Sequence, residues 1–214
     1  MTESASMFPS WYDGIAPLYD RAIRNLYLPY RRLAVEMLEL QAGQTMVDLG
    51  CGSGLNLELV RERIGAEGTL IGVDFSAKML GRAKERVNQH GWTNVHLLQR
   101  DARLLGRGDL AVPNGRGVDR ILCTLGLSVF PDWETVLDRT FELLSPCGRY
   151  CIMDLYNGDA NLHTRLINVL ARSEISRKVW APLQAKCADY DEQRHPLLHG
   201  MGEVVIATGT PRDP

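Results

Sequence analysis

Residues 46–54 read Met-Val-Asp-Leu-Gly-Cys-Gly-Ser-Gly, and few other stretches restrict a chain's fold so tightly. Met46, Val47 and Leu49 have the character of a buried strand, Asp48 is an acid near its tip, and Gly50, Gly52 and Gly54 follow at alternate positions. Leu55, Leu57, Leu59, Val60 and Ile64 then supply the apolar face of a helix expected over 54–64. Alternating glycines permit torsions that side chains resist and let a ligand approach the main chain. A strand turning into a helix in this way exposes backbone amides, where a nucleotide or carboxylate can sit.

A second acid lies about twenty residues further on. Thr69-Leu70-Ile71-Gly72-Val73-Asp74 is a β-branched, apolar run ending in a carboxylate. Phe75 follows, and Ser76 is placed to cap a helix through Lys78–His90. An acid at this distance from a glycine loop is where Rossmann-like sheets grip a ribose diol. Asp48 narrows the choice of nucleotide. A carboxylate beside the loop would repel the pyrophosphate of a dinucleotide and attract a cationic amino group. That combination favours S-adenosyl-L-methionine over NAD, and no Tyr-x-x-x-Lys pattern for hydride transfer is recognisable.

These residues resemble the class I S-adenosylmethionine-dependent methyltransferases, from about Trp11 to about Gly209. The resemblance implies that Asp48, Gly50, Cys51, Gly52, Ser53 and Gly54 wrap the methionine end of the cofactor. It implies Asp74 on the ribose hydroxyls, Phe75 against adenine, and Met79 in the same neighbourhood. Asn94–Ala102 is similar to the family's third strand, which gives Asp101 to the adenine amino group and Ala102 to a backbone contact. Val118–Gly126 is similar to its fourth, with Thr124 and Leu125 near the sulfonium. The opening Trp11-Tyr12-Asp13-Gly14-Ile15-Ala16-Pro17-Leu18-Tyr19-Asp20 resembles a narrower group, the ubiquinone and menaquinone methyltransferases and their phospholipid and betaine-lipid relatives. In that group an aromatic closes over the cofactor. The match makes Tyr19, and secondarily Tyr12, lid residues, and an aromatic face near a sulfonium is attractive.

Strand and helix signals alternate: 45–49, 54–64, 69–74, 77–90, 94–99, 118–124, 132–145 and 148–155. The expected fold class is α/β: a Rossmann-like, doubly wound, mostly parallel sheet with helices on both faces, an N-terminal helical lid and an antiparallel C-terminal strand. The ligand belongs at the strand tips. One domain is expected over 1–214, with the lid at 1–42, the core at 43–209 and a tail at 210–214. The lid should be helical over about 10–40, broken near Leu28-Pro29, and a long helical stretch is expected over about 159–180. Glu203–Thr208 reads as the last strand. Cys187–His199 has no strand pattern, so the second antiparallel strand usual in the family is not legible.

With 45% apolar residues, 23% charged residues and no run long enough for a membrane span, a cytoplasmic globular chain is expected. Five cysteines at irregular spacing argue for a reducing compartment, and Cys147 and Cys151 lack a partner pair for a metal. Cys51, at a helix start, is placed where a thiol's pKa falls, yet in this motif such a residue is more often a small packing residue than a nucleophile. The net charge of −2 and the absence of an Asn-Pro-Pro-Tyr or Asp-Pro-Pro-Tyr signature after the fourth strand argue against nucleic acid.

The acceptor is therefore expected to be a small molecule or a lipid head group. Amine N-methylation is placed first, with O- or C-methylation of a quinone or other aromatic as the alternative. Asp154 and Tyr156, past the fifth strand, are candidate catalytic residues with Tyr19; His163, His195 and His199 are weaker ones. Two basic stretches, Arg21, Arg24, Arg31 and Arg32, then Arg165, Arg172, Arg177 and Lys178, suit peripheral contact with an anionic membrane face. A non-catalytic cofactor-binding module remains a further reading.

Overall fold

The computed structural model describes residues 25–110, 112, 117–158, 173–197 and 202–212. Tyr12, Tyr19, His163 and His199 lie outside them, as do Arg21, Arg24, Arg165 and Arg172.

Among the described residues seven strands form one sheet: β1 (Thr45–Leu49), β2 (Thr69–Asp74), β3 (Val95–Gln99), β4 (Val118–Thr124), β5 (Leu144–Tyr156), β6 (Asp191–Pro196) and β7 (Glu203–Gly209). Their spatial order is β3-β2-β1-β4-β5-β7-β6. The first five are parallel, and β7 runs antiparallel between β5 and β6. The order reverses at β1, and the tips of β1 and β4 flank the crevice that this reversal opens.

Period-two alternation sends side chains to two cores. Met46, Leu70, Leu122, Met153 and Val204 pack on one face beneath α1 (residues 25–37), α2 (Leu57–Ile64) and α3 (Ala77–His90). Val47, Val73, Ile121, Ile152 and Val205 pack on the other, against α4 (Trp133–Phe141) and α5 (Ala181–Lys186). Both faces of the sheet are covered, as a parallel sheet requires.

The helix over 77–90 and the strand over 118–124 stand as expected, whereas several other expectations need correction. Helix α1 runs through Pro29 without a break. One lost backbone hydrogen bond is outweighed by burying Tyr27, Ala34, Val35 and Leu38, and Arg120 anchors the helix end by donating to the Leu38 carbonyl at 2.6 Å. Helix α2 starts at Leu57 rather than 54, because Gly54 turns at φ +80°. Residues 173–180 form turns, not helix. Their backbone is spent elsewhere: the Glu174 amide donates to the Ser128 carbonyl, and the Asn157 amide to that of Ile175.

The second antiparallel strand exists. It is β6, whose charged sequence Asp-Glu-Gln-Arg-His-Pro hid it. An edge strand with one open side tolerates such residues, and charge with a terminal proline protects it from edge-to-edge pairing. Arg194 sits between Glu192 at 2.6 Å and Glu203 of β7 at 3.0 Å. No described helix is long and apolar enough to cross a membrane.

Candidate functional site

The loop between β1 and α2 carries three glycines at positive φ, each with a different surrounding. A Cβ on Gly54 would lie 2.6 Å from Leu57 and 3.2 Å from Ala83, so this glycine lets α2 and α3 close onto the turn. A Cβ on Gly52 would meet nothing within 4 Å. Gly52 therefore faces open space, where a ligand can lie against bare backbone.

Asp74, at the tip of β2, accepts from the Gly52 amide at 2.8 Å and the Ser76 amide at 2.8 Å. It thereby ties the glycine loop to the second strand. Burial raises its pKa, and backbone hydrogen bonds from Ser76, Gly52 and Phe75 oppose the rise. Phe75 beside it is 67% exposed, an aromatic face open to a planar base. Met79, half-buried in the first turn of α3, gives its amide to the Ser76 hydroxyl cap.

Asp48 is 0% exposed. Burial raises its pKa to about 7, against the opposing pull of the Asn56 hydrogen bond and the Arg31 charge. The parity that sends Met46 beneath α1 sends Asp48 and Thr124 to the same face, on neighbouring strands. There they meet two side chains that the motif reading passed over. Arg31 of α1 donates through Nη1 to Asn56 Oδ1 at 2.6 Å and to Thr124 Oγ1 at 2.6 Å. Asn56 Nδ2 donates to Asp48 Oδ1 at 2.8 Å and to Thr124 at 3.0 Å. Two buried atoms of this cluster, Asp48 Oδ2 and Arg31 Nε, have no partner among the described residues.

Arg31 is thus buried, not part of a solvated basic face, which corrects its place in the first basic stretch. The signal was present, since Tyr27, Arg31, Ala34, Val35 and Leu38 share one helical stripe. Asn56, a lone polar residue between Leu55 and Leu57, was its counterpart. In the second stretch, Arg177 is engaged by Glu174 at 2.5 Å and the Phe130 carbonyl at 3.1 Å, and Lys178 lies 5.8 Å from the centre of the Tyr156 ring.

The remaining expected residues are placed as follows. The Cys51 thiol is buried, and desolvation with two nearby carboxylates pushes its pKa well up, so it is a packing residue and not the activated thiol that a helix start allows. Its sulfur packs against Gly72. Ser53 is buried, and its carbonyl accepts from Arg86 at 3.4 Å. Asp101 caps a short 3-10 turn that begins at the buried Ala102, and the Arg103 guanidinium beside it lowers its pKa.

Leu125 holds φ +54°, rare for a residue with a side chain, and its amide donates to the Met153 carbonyl at 2.7 Å. The next turn is fixed by Asp154, which accepts from the Ser128 amide (3.0 Å), the Ser128 hydroxyl (2.7 Å) and the Leu155 amide (2.9 Å). Asp154 is fully buried, with its pKa raised by desolvation to about 6. It lies on the sheet face opposite Asp48 and Thr124. Tyr156 shares that face and meets Trp180 edge-on at 5.2 Å. His195 lies on the α1 face, its ring 5.5 Å from that of Tyr30. A groove of about 470 Å³ near Arg149, Glu36 and Asp189 sits at the other ends of the strands, away from the glycine loop.

Similarity to known proteins gives this chain's family. Residues 40–198 match the family described as Methyltransferase domain. The chain belongs to that family. It is 35% identical over 148 residues to the 2-phytyl-1,4-naphtoquinone methyltransferase of Thermosynechococcus vestitus, covering 67% of this chain and 62% of that protein. It is 29% identical over 147 residues to the demethylmenaquinone methyltransferase of Listeria welshimeri, covering 67% and 60%. The chain therefore spans somewhat under two thirds of the length of these curated relatives.

The YcgJ protein of Bacillus subtilis superposes with a TM-score of 0.66 at 17% identity, over 86% of this chain and 98% of that one, a likeness of fold. The cofactor of this class I methyltransferase domain is S-adenosyl-L-methionine. The residues fit it. Asp48 keeps one buried carboxylate oxygen without a partner, Gly52 opens onto space along the loop, Asp74 closes that loop from the tip of β2, and the Phe75 ring is exposed beside it.

Proposed function

We propose that this chain transfers a methyl group from S-adenosyl-L-methionine to a small apolar molecule, an aromatic ring carbon or hydroxyl of a quinone-type acceptor. The observation that carries the methyl-transfer reading is Asp48, a fully buried carboxylate with one oxygen unpartnered beside a loop whose Gly52 opens onto space. The acceptor class rests on the two quinone methyltransferases that the chain resembles.

The bound cofactor supplies an activated methyl group, so the protein's tasks are alignment and exclusion of water. Asp48 and Asp74 hold the two ends of the donor. Leu125, pinned in its strained turn, sets the wall next to the reacting centre. Asp154 acts through Ser128, since its oxygens already accept three hydrogen bonds; in this reading it positions the loop rather than removing a proton. Tyr156, engaged with Trp180, supports the same wall. Tyr19 and Tyr12 keep their proposed parts as lid aromatics, and Asp101 and Ala102 theirs beside adenine.

Amine N-methylation is the second reading. A carboxylate as fully engaged as Asp154 is poorly suited to act as base, and an amine with a free lone pair needs none. Nucleic acid is not proposed as acceptor.

The test is methyl transfer from radiolabelled S-adenosyl-L-methionine to a panel of reduced demethylated naphthoquinones, catechols, primary amines and aminophospholipids. Transfer to the naphthoquinols supports the proposal. Turnover confined to the amines replaces it with the second reading, and binding of cofactor with no transfer to any of them supports a non-catalytic module.

A further inference from the structure

Residues 173–175 cross the tips of β4 and β5 and are stitched to both. The Glu174 amide donates to the Ser128 carbonyl in the turn after β4, and the Asn157 amide, just past β5, donates to the Ile175 carbonyl, each at 2.8 Å. This crossing brings four buried polar residues to one end of the sheet: Ser128, Asp154, Asn157 and Ser173. Ser128 and Asp154 answer each other, the hydroxyl donating to the carboxylate at 2.7 Å. Ser173 differs. It is 5% exposed, and its Oγ is buried with no partner among the described residues. A hydroxyl held from water without a hydrogen bond is costly, and native proteins retain few of them. Its place decides which ligand answers it. Strand β4 stands between β5 and the tips of β1 and β2, where Asp48, Gly52 and Asp74 lie, so the hydroxyl is on the acceptor's side of the proposed site and not the cofactor's. Ser128 follows Leu125 by three residues, and Val129 leaves apolar surface exposed in the same turn.

We propose that Ser173 binds the methyl acceptor, its hydroxyl donating a hydrogen bond to an oxygen on the acceptor's ring. The proposal rests on the reading of that acceptor as a quinone-type molecule and names the side chain that recognises it. An apolar ring held by packing alone can slide and turn in its own plane. One hydrogen bond to a ring oxygen fixes which carbon or hydroxyl faces the methyl donor. Such a contact forms when the acceptor binds and persists through transfer, so it lowers KM far more than it raises kcat. It also gives a reason for the open hydroxyl, since a partner from this chain would have to be displaced before the acceptor could bind. Removing the hydroxyl spares the ligand-free protein an unanswered polar atom and deprives the acceptor of its partner. Stability and acceptor affinity therefore move in opposite directions.

The test compares wild type with Ser173→Ala in methyl transfer from S-adenosyl-L-methionine to a reduced demethylated naphthoquinone, with 1-naphthol and naphthalene as competing inhibitors. The variant should melt at or above the wild-type temperature and bind S-adenosylhomocysteine within about twofold of wild type. Its KM for the naphthoquinol should rise about threefold to tenfold, the value of one hydrogen bond, with kcat changed by less than about twofold. The ratio of the naphthalene to the 1-naphthol inhibition constant should fall by about the same threefold to tenfold, because only naphthol carries the oxygen that Ser173 meets. A serine with only a structural part would lower the melting temperature and leave that ratio where it was. An unchanged ratio overturns the proposal whatever the melting temperature does. A wild type that methylates amines and no naphthoquinol overturns the acceptor reading beneath it, a result seen before any variant is made.

Discussion

Asp48→Asn should move stability and cofactor affinity in opposite directions. The folded chain raises the Asp48 pKa from an ordinary 3.8 to about 7, chiefly by burial. Below about pH 4 the carboxyl is protonated in both folded and unfolded chains and has no effect on the balance. Between about 4 and 7 the folded chain holds a proton that the unfolded chain has released, so stability falls as pH rises. Above 7 the loss is complete. Each tenfold change in proton affinity is about 1.4 kcal/mol, so a gap of about three powers of ten amounts to at most about 4 kcal/mol.

Asparagine resembles the neutral acid at every pH and removes that loss. In the ligand-free state the variant should exceed the wild type by up to about 4 kcal/mol at pH 8 and by under about 2 kcal/mol at pH 5. Urea unfolding at the two pH values reads the difference. The same variant should bind S-adenosylhomocysteine about tenfold to a hundredfold more weakly, because no carboxylate meets the ammonium. Wild-type binding should tighten as pH rises through about 7 and release protons near pH 6, visible as heats that depend on the buffer. A variant less stable than wild type at pH 8 refutes the account of Asp48 as a strained, ligand-directed carboxylate. So does one with unchanged affinity.

Asp74→Ala should weaken S-adenosylhomocysteine binding by roughly 1.5–3 kcal/mol, measured by calorimetry, through loss of hydrogen bonds to a charged group; unchanged affinity would reject its place at the ribose. Gly52→Val should abolish that binding in a chain that still folds. Its Cβ meets no protein atom within 4 Å, although φ +55° costs roughly 1–2 kcal/mol with any side chain. Iodoacetamide on the native chain should label Cys147 rapidly and the other four cysteines only on unfolding, since Cys147 alone is exposed; mass spectrometry showing rapid Cys51 modification would contradict its raised pKa.

Local sequence determined the parallel half of this protein. Strands β1 to β4, the glycine loop and the carboxylates Asp48 and Asp74 are legible because they depend on short-range patterning: apolar runs of strand length, turn glycines, and an acid at each tip. Tertiary structure alone decided the rest. Strand β6 has no apolar pattern because an edge needs none; its partner β7 and the Arg194 pairs define it. Arg31 sits on the apolar stripe of α1, but its partners are decided only when α1 lies across the sheet and brings it to Asn56 and Thr124, residues 25 and 93 positions away. Asp154 reads as a free acid at a strand tip until the turn after β4 wraps Ser128 around it. Hydrophobic periodicity reports which face of an element is buried, whereas the partner of a buried polar group is set by the packing of distant elements.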